Sequence, residues 1–211
     1  MLNVFRNQRT LAAYEDIALE YAESTRANPT GVDEAMLRDL AGSPPGVGTV
    51  LELGSGPGWD ADFVESLGTR VRRTDATAAF CNFQRARGKQ IDRLNAITDG
   101  YTDPAWPNYT GVMALYVLQH IERHATDTVL RRVAAALRPG GRFLVSVREG
   151  SGDHWETGES GLQYHLTLWQ APAFEDRLRD AGLEPYWSAR STDAEGPWLT
   201  IVARAVHRGE D

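Results

Sequence analysis

The sequence predicts an α/β fold: a doubly wound, mostly parallel seven-stranded sheet with an antiparallel terminal strand, preceded by an N-terminal helical lid. Strand and helix patterns alternate from residue 49 onward, which is typical of βαβ units with right-handed crossovers. The first strand runs directly into glycines at positions 54, 56 and 58. Two closely spaced strand patterns near the end favour antiparallel pairing at a sheet edge.

The N-terminal residues predict a helical appendage ahead of the sheet. Apolar residues recur at helical spacing over residues 11–25, with Thr10 as the expected N-cap, and a second short helix is predicted over residues 31–42. The Pro- and Gly-rich sequence SPPGVG then predicts a linker. We therefore divide the chain into a helical lid, residues 1–45, and a core, residues 46–211.

The core elements follow from β-branched and apolar runs for strands and from helical periodicity between them. The predicted strands are residues 49–53, 70–75, 91–96, 109–118, 142–149, 184–190 and 198–206, and the predicted helices are residues 60–68, 78–88, 125–141 and 171–182. Residues 150–161 are polar and glycine-rich, and predict a loop that is long enough to suggest a function.

The amino-acid composition restricts the class of protein to which the chain can belong. Apolar residues make up 42% of the 211 residues and charged residues 24%, as in ordinary soluble globular proteins. No apolar run approaches the roughly 18–20 residues of a membrane span, and the N-terminus is too polar for a signal peptide. The single cysteine, Cys81, excludes an internal disulfide and fits a reducing compartment. We expect a cytoplasmic protein with no membrane partner.

Charge argues against a polyanionic partner. The formal net charge is −7, and the one dense basic group is Arg70, Arg72 and Arg73, which we interpret as solvated side chains at a sheet edge. We therefore expect no nucleic-acid partner. The five histidines show no metal-ligand spacing, so no metal site is predicted.

The glycine turn after the first strand restricts the ligand. No lysine follows as in a P-loop, and Trp59 stands where a dinucleotide turn needs its last glycine. Glu52 would repel a pyrophosphate but attract an ammonium or sulfonium. Asp75 ends the next strand, 19 residues after Gly56, where a carboxylate accepts hydrogen bonds from a ribose. A cationic, phosphate-free nucleoside such as S-adenosylmethionine (SAM) fits these features.

Together these motifs resemble the class I, Rossmann-like SAM-dependent methyltransferases. Residues 50–68 look like the first motif of that family, and residues 72–77 resemble its ribose-binding motif. Residues 109–121 resemble its fourth-strand segment, and residues 129–147 resemble its helix, turn and fifth strand. The resemblance covers residues 48–150 well and implies SAM as cofactor and methyl transfer as activity.

The resemblance also implies a cofactor bed at the ends of successive strands. Its members are Glu52, Gly54, Ser55, Gly56, Gly58, Asp75, Ala76, Asn95, Ala96, Ala114 and Leu115. An amide at Asn95 can both donate to and accept from the adenine edge. Asp99 is an alternative for that role, because the register of this short strand is open.

Methyl transfer from a sulfonium is an in-line displacement that requires alignment rather than an obligatory catalytic residue. A base is needed at some stage if the acceptor is a hydroxyl or an amine. The candidates for catalysis are His120, Tyr14 and Glu149, each with ordinary packing or surface charge as the alternative. The candidates for substrate binding are Tyr21, Trp59, Arg148, Tyr164 and His165.

The sequence therefore predicts SAM-dependent methyl transfer to O or N of a small molecule or short peptide. Alternatives are a catalytically degenerate SAM-binding module, a methyltransferase acting on protein or RNA, and a dinucleotide oxidoreductase. The acceptor, and whether the protein is a monomer or a homodimer, stay open.

Overall fold

The structure, a computed structural model, describes residues 5–42, 48–158, 160–193 and 196–206. The helices are α1 Phe5–Ser24, α2 Gly31–Ala41, α3 Trp59–Ser66, α4 Ala78–Ala86, α5 Arg123–Ala136 and α6 Ala171–Asp180. The strands are β1 Thr49–Leu53, β2 Arg70–Asp75, β3 Ile91–Arg93, β4 Tyr109–Ala114, β5 Leu137–Arg148, β6 Asp153–Thr157, β7 Gln163–Thr167, β8 Leu183–Asp193 and β9 Gly196–Ala205. A 3₁₀ turn spans Leu118–His120. The predicted SPPGVG linker, except Gly48, lies outside the described residues.

Seven strands form one sheet in the order β3-β2-β1-β4-β5-β9-β8. The first five of these strands pair in parallel, and β9 pairs antiparallel with both β5 and β8. This confirms the predicted doubly wound, mostly parallel sheet with an antiparallel terminal strand. The switch in strand order at β1 and β4 opens a crevice at their carboxyl ends, where ligands bind in such sheets.

Helices cover both faces of the sheet because successive side chains of a buried strand point to opposite sides. Leu51 and Leu53 of β1 face the cluster that includes α5 and α6. Val50, between them, faces the cluster formed with Leu37 and Leu40 of α2 and with α3. No helix in the described residues is long and apolar enough to cross a membrane.

Several predicted boundaries differ from the structure. Helix α1 begins at Phe5, so Thr10 is a buried residue inside the helix and not its N-cap. The fourth strand was predicted to reach residue 118 but ends at Ala114. Helix α5 ends at Ala136 and strand β5 starts at Leu137, before Pro139 and Gly140, which were expected to stop the helix. Pro139 disfavours helical backbone in the residue before it.

The predicted loop 150–161 contains a strand. Residues Asp153–Thr157 pair antiparallel with Gln163–Thr167 as a two-stranded hairpin beside the main sheet. The rings of Trp155 and His165 lie 5.4 Å apart across the hairpin, and the Arg9 guanidinium of α1 lies 4.6 Å from the Trp155 ring. An isolated hairpin is marginal in water, so its packing against α1 stabilises it.

The basic group on β2 is mostly buried, which corrects its interpretation as a solvated patch. Arg72 pairs with Asp92 at 2.8 Å and with Asp103 at 2.9 Å. The Arg73 side chain is 1% exposed and pairs with Asp62 and Glu65, each at 2.6 Å. A buried guanidinium requires such partners, and these lie in other elements of the chain.

Arg73 connects three elements beside the glycine turn. Its Nη1 donates to the Gly58 carbonyl at 3.3 Å and to Gln84 Oε1 at 3.2 Å. Burial alone would raise the pKa of Asp62, but hydrogen bonds from Lys89, Arg73 and Arg87 outweigh it and lower that pKa to about 2. Asp62 therefore stays ionised beside Arg73 at neutral pH.

We expect Arg73→Gln to lower the free energy of unfolding by about 3–5 kcal/mol, because it removes one partner of a buried ion pair. Arg70→Gln, on the same strand but exposed, serves as the matched control and should change it by less than about 1 kcal/mol. Urea unfolding followed by circular dichroism measures both. Equal effects of the two variants would contradict the role given to Arg73.

Candidate functional site

A cavity of about 540 Å³ lies at the carboxyl ends of β1, β2 and β4, beneath α1. Twelve of the predicted site residues line it: Tyr14, Tyr21, Gly54, Ser55, Gly56, Trp59, Asp75, Ala76, Asn95, Ala96, Leu115 and His120. They come from α1 and from the ends of four strands, so the fold brings together residues that are distant in sequence.

The three glycines of the turn serve different purposes. A Cβ on Gly56, whose φ is 52°, would meet nothing within 4 Å, so this residue leaves its side open. A Cβ on Gly58 would lie 2.7 Å from side-chain atoms of Arg73 and Gln84, and one on Gly54 would lie 2.5 Å from Val117. Only Gly56 therefore leaves space for a ligand, whereas Gly54 and Gly58 allow close packing within the protein.

Side chains from β2 and α4 hold the turn. Asp75 Oδ2 accepts a hydrogen bond from the Gly56 N–H at 2.8 Å, and its Oδ1 accepts from the Thr77 N–H at 2.7 Å. Gln84 Nε2 donates to Ser55 Oγ and to the Gly56 carbonyl, both at 2.8 Å. The free lone pairs of Asp75 face the cavity that it lines, so the carboxylate can accept further hydrogen bonds there.

The structure brings Asn95, and not Asp99, to the cavity wall. Asp99 Oδ2 accepts from the Asn95 N–H at 2.8 Å, and Asn95 Oδ1 accepts from the Ile97 N–H at 2.8 Å. These bonds fix the turn after β3. The Asn95 amide group is left with donors that can face a ligand.

Carboxyl groups gather at one end of the cavity: Asp60 and Asp33 line it, whereas Glu52 is buried and does not line it. Glu52 is 5% exposed, and its Oε2 has no hydrogen-bond partner within the described residues. Burial raises the pKa of Glu52 to about 8, and the nearby charge of Asp60 adds to that shift. Burial raises the pKa of Asp60 to about 6, with a further contribution from Asp33. A cation placed here would relieve the mutual repulsion.

Helix α1 docks on the core through polar contacts. The Glu15 carboxylate accepts hydrogen bonds from the Ala78 and Ala79 N–H groups at 2.7 and 2.8 Å, at the start of α4. A carboxylate is favoured there because the first N–H groups of a helix are unpaired. Glu122 Oε1 accepts from the N–H of Asn7 at 3.0 Å. These contacts hold Tyr14 over the cavity.

Tyr14 and His120 form a hydrogen-bonded pair. His120 Nδ1 lies 3.1 Å from the His165 carbonyl, which only accepts, so Nδ1 carries the proton. Burial lowers the pKa of His120 to about 4, so its Nε2 is unprotonated at neutral pH. That nitrogen therefore accepts the Tyr14 O–H at 3.0 Å. The pair presents a phenol and a neutral imidazole to the cavity.

Several predicted site residues lie outside the cavity wall. Glu149 accepts hydrogen bonds from Arg190 at 2.7 to 2.9 Å on the outer strand β8, so the structure does not bring it to the site. Arg148 lies behind the wall, 3.6 Å from both Glu156 and Asp193. The positive charge of its guanidinium is therefore balanced by these two carboxylates. Arg148 does not line the cavity, so it is not placed to bind an acidic substrate.

Five further predicted residues lie near the cavity without lining it: Glu52, Gly58, Ala114, Tyr164 and His165. Tyr164 packs its ring 5.0 Å from that of Tyr14, and His165 supplies the carbonyl that His120 contacts. Gly58 is the N-cap of α3, and Ala114 is the last residue of β4. The hairpin thus acts on the site through Tyr14 and His120.

The sequence reasoning missed Tyr116, Trp198, Asp33 and Asp60, which also line the cavity. Tyr116 is the one non-glycine residue of the described chain with positive φ, at 60°, and its hydroxyl donates to Asp33 at 3.0 Å. Asp60 directly follows the glycine turn, a position that could have revealed it. Asp33 carried no comparable signal, because acids are ordinary in the first turn of a helix.

The cavity wall carries one sign of charge. Among the described residues that line it are four aspartates and no lysine or arginine. No group of three or more His, Cys, Asp or Glu side chains in the described ranges could hold a metal ion. The site therefore favours a cationic ligand.

A family model described as a methyltransferase domain matches residues 25–187, which is more than half of the chain. The chain belongs to the methyltransferase-domain family. This confirms the resemblance and the prediction of a SAM-dependent methyltransferase. Helix α1 precedes the matched residues. A comparison with curated proteins found no significant match.

Solved structures share the fold of this methyltransferase. The 1,6-didemethyltoxoflavin-N1-methyltransferase of Burkholderia thailandensis is 23% identical, with 97% of this chain and 88% of that chain covered and a TM-score of 0.70. The CcbJ methyltransferase from Streptomyces caelestis is 18% identical, with 92% and 96% covered and a TM-score of 0.68. The [4+2]-cyclase SpnF is 17% identical, with 95% and 96% covered and a TM-score of 0.70. At these identities the likeness shows the fold alone.

We expect His120 of this methyltransferase to remain the neutral Nδ1–H tautomer down to about pH 5, because burial lowers its pKa to about 4. Nitrogen-15 NMR of the imidazole over pH 4–8 measures this, with His120→Gln to assign the signals. Since the neutral form is buried, the folded state should lose stability as pH falls from about 6.5 toward 4. Protonation of His120 near pH 6.5 would contradict the assignment.

Proposed function

We propose that the protein transfers a methyl group from SAM to an oxygen or nitrogen of a small molecule or short peptide, in a pocket closed by α1. One observation carries this proposal: the glycine turn and Asp75 open onto the same cavity as the Tyr14–His120 pair. A nucleoside-binding end and a polar pair that can contact an acceptor therefore share one cavity.

The residues present fit SAM. Asp75 would bind the ribose and Asn95 the adenine edge, with Gly56 leaving room for the backbone of the ligand. The unpartnered Oε2 of Glu52 and the carboxyl group of Asp60 suit the methionyl ammonium, with Glu52 acting through water. The B. thailandensis relative is described with bound S-adenosylhomocysteine (SAH), which supports the same class of ligand here.

When bound, SAM supplies a methyl group activated by a sulfonium. The residues of the chain align the acceptor and exclude water, for which α1 is the lid. The Tyr14 phenol and His120 Nε2 lie within hydrogen-bond reach of each other, so either can orient an acceptor hydroxyl or amine. With a pKa of about 4, His120 is a weak base, suited to take a proton that becomes acidic only as the methyl group arrives.

The wall of the cavity indicates the kind of acceptor. A small molecule fits a cavity of about 540 Å³ that also holds the donor, whereas a folded macromolecule does not. Aromatic rings of Tyr21, Trp59 and Trp198 offer apolar contact. Because four aspartates and no lysine or arginine of the described residues line it, we propose that the acceptor is neutral or cationic.

A SAM-binding protein without methyl transfer is the second candidate. It is favoured by the likeness to a solved structure described as a [4+2]-cyclase, with a TM-score of 0.70. Fold alone does not separate these activities. Conversion of SAM to SAH in the presence of an acceptor would show that the protein transfers methyl groups.

Calorimetric titration tests the ligand. We expect SAM and SAH to bind and NAD to fail, and we expect Asp75→Ala to weaken SAM binding by about 1.5–3 kcal/mol, the range for hydrogen bonds to a charged group. Asp176→Ala, an exposed acid on α6, is the matched control and should leave the affinity unchanged. Folded, ligand-free protein that binds NAD but not SAM would overturn the proposal.

Binding of SAM should release protons. In the free protein the pKa of Glu52 is about 8 and that of Asp60 about 6, and a bound cation lowers both. The affinity should therefore rise as pH increases from 5 to 8 and then level off. Titrations in two buffers of different ionisation enthalpy measure the release.

Two comparisons sharpen this test. Glu52→Gln should remove part of the release, because it removes the group that titrates near pH 8. SAH keeps the ammonium but lacks the sulfonium, so equal release with SAH would assign the effect to the ammonium. Proton uptake, or an affinity independent of pH, would contradict the placement of the cation.

A further inference from the structure

We propose that Thr10 is a positioning residue that fixes His120 through the backbone of His165, so that docking of α1 prepares the site as well as covering it. The consequence for methyl transfer rests on the proposed function. The geometry itself, and the experiment below, do not depend on it.

The contacts form a closed path that begins and ends on α1. Thr10 Oγ1 accepts a hydrogen bond from the His165 N–H at 2.9 Å. The His165 carbonyl accepts the His120 Nδ1–H at 3.1 Å, and His120 Nε2 accepts the Tyr14 hydroxyl at 3.0 Å. Thr10 and Tyr14 are four residues apart, so one face of the helix supplies both ends of the path.

Strand geometry explains why one residue of the hairpin can serve both contacts. In an antiparallel pair, the N–H and C=O of a residue point to the same side of its strand. Those of His165 point away from β6, toward α1 and His120. Thr10 therefore fixes the N–H and, with it, the direction of the carbonyl that selects the His120 tautomer.

Burial makes the hydrogen bond between the His165 N–H and Thr10 Oγ1 costly to lose. Thr10 is 0% exposed and His165 is 1% exposed, so water does not readily replace the hydroxyl as acceptor. A buried N–H without an acceptor is costly, which penalises any shift of β7. When α1 leaves the core, Thr10 and Tyr14 leave with it. His120 Nε2 then loses the Tyr14 hydroxyl and keeps only Gln119 Nε2 at 3.3 Å, and the His165 N–H loses the acceptor that fixes the direction of the carbonyl at His120 Nδ1.

The His165 side chain takes no part in this path. Its Nε2 lies 3.2 Å from Arg6 Nη1, which donates to it, and its ring packs against Trp155. This explains why a residue expected to bind substrate is absent from the cavity wall. The titratable groups that face His120 are Tyr14 from α1, Tyr164 and His165 from the hairpin, and Arg148 from β5.

Three variants of the full chain separate the backbone path from its surroundings. Thr10→Val keeps the shape but removes the acceptor, Thr10→Ser keeps the acceptor but removes the methyl group, and His165→Gln keeps the backbone but removes the imidazole. The measurements are amide hydrogen exchange at residue 165 and nitrogen-15 shifts of the His120 ring against pH.

We expect Thr10→Val to speed exchange at the residue 165 amide at least tenfold and to give averaged His120 ring nitrogens with a pKa above about 4. Thr10→Ser and His165→Gln should behave like the wild type. Unchanged signals in Thr10→Val, or a Thr10→Ser variant that resembles it, would overturn the proposal.

Two further readouts keep the test decisive. If Thr10→Val does not fold, the wild type decides, because a rapidly exchanging His165 amide or an unprotonated Nδ1 on His120 would by itself refute the path. Titration of wild-type protein with SAH is run separately. Its failure would refute the proposed function and leave the NMR result on Thr10 unaffected.

Discussion

The carboxylate of Asp75 is the constraint on which the cavity depends. It accepts the N–H of Gly56 on one oxygen and that of Thr77 on the other, so it joins the turn after β1 to the start of α4. Burial raises the pKa of Asp75, and these two donors oppose the rise. Arg73, two residues earlier, holds Gly58 and Gln84. One strand end thus sets the shape of the turn before any ligand binds, which lowers the entropy lost on binding.

Sequence patterns predicted what depends on local spacing. The strands, the glycine turn and Asp75 follow from runs and intervals along the chain, and all are present in the structure. Arg73 was wrongly interpreted as a solvated side chain. Its burial depends on ion pairs with Asp62 and Glu65, which come close to it only in the folded chain. The positive φ of Tyr116 could not be predicted from the sequence either, because an aromatic residue does not favour left-handed backbone.

The donor end and the acceptor end of the site differ in origin. The glycine turn and Asp75 lie within residues 25–187, which match the family, whereas Tyr14 and Thr10 precede them. The first strand of the hairpin, β6, came from a stretch too polar and glycine-rich to predict strands. For this reason the family resemblance implied a cofactor bed residue by residue, whereas the sequence offered only candidate side chains for the acceptor.

The composition of α1 differs from that of the helices that pack on the sheet. Its buried residues are small or polar, with Ala13, Ala18 and Ala22 beside Asn7 and Thr10, while α5 buries valine and leucine against the sheet. Burying a methylene group stabilises by about 0.8 kcal/mol and a whole Val or Leu side chain by about 1.5–3 kcal/mol. The docked position of α1 therefore depends on directional hydrogen bonds more than on apolar area. Such contacts specify one docked geometry, and an element held by few buried apolar contacts separates at a lower free energy than the core requires to unfold.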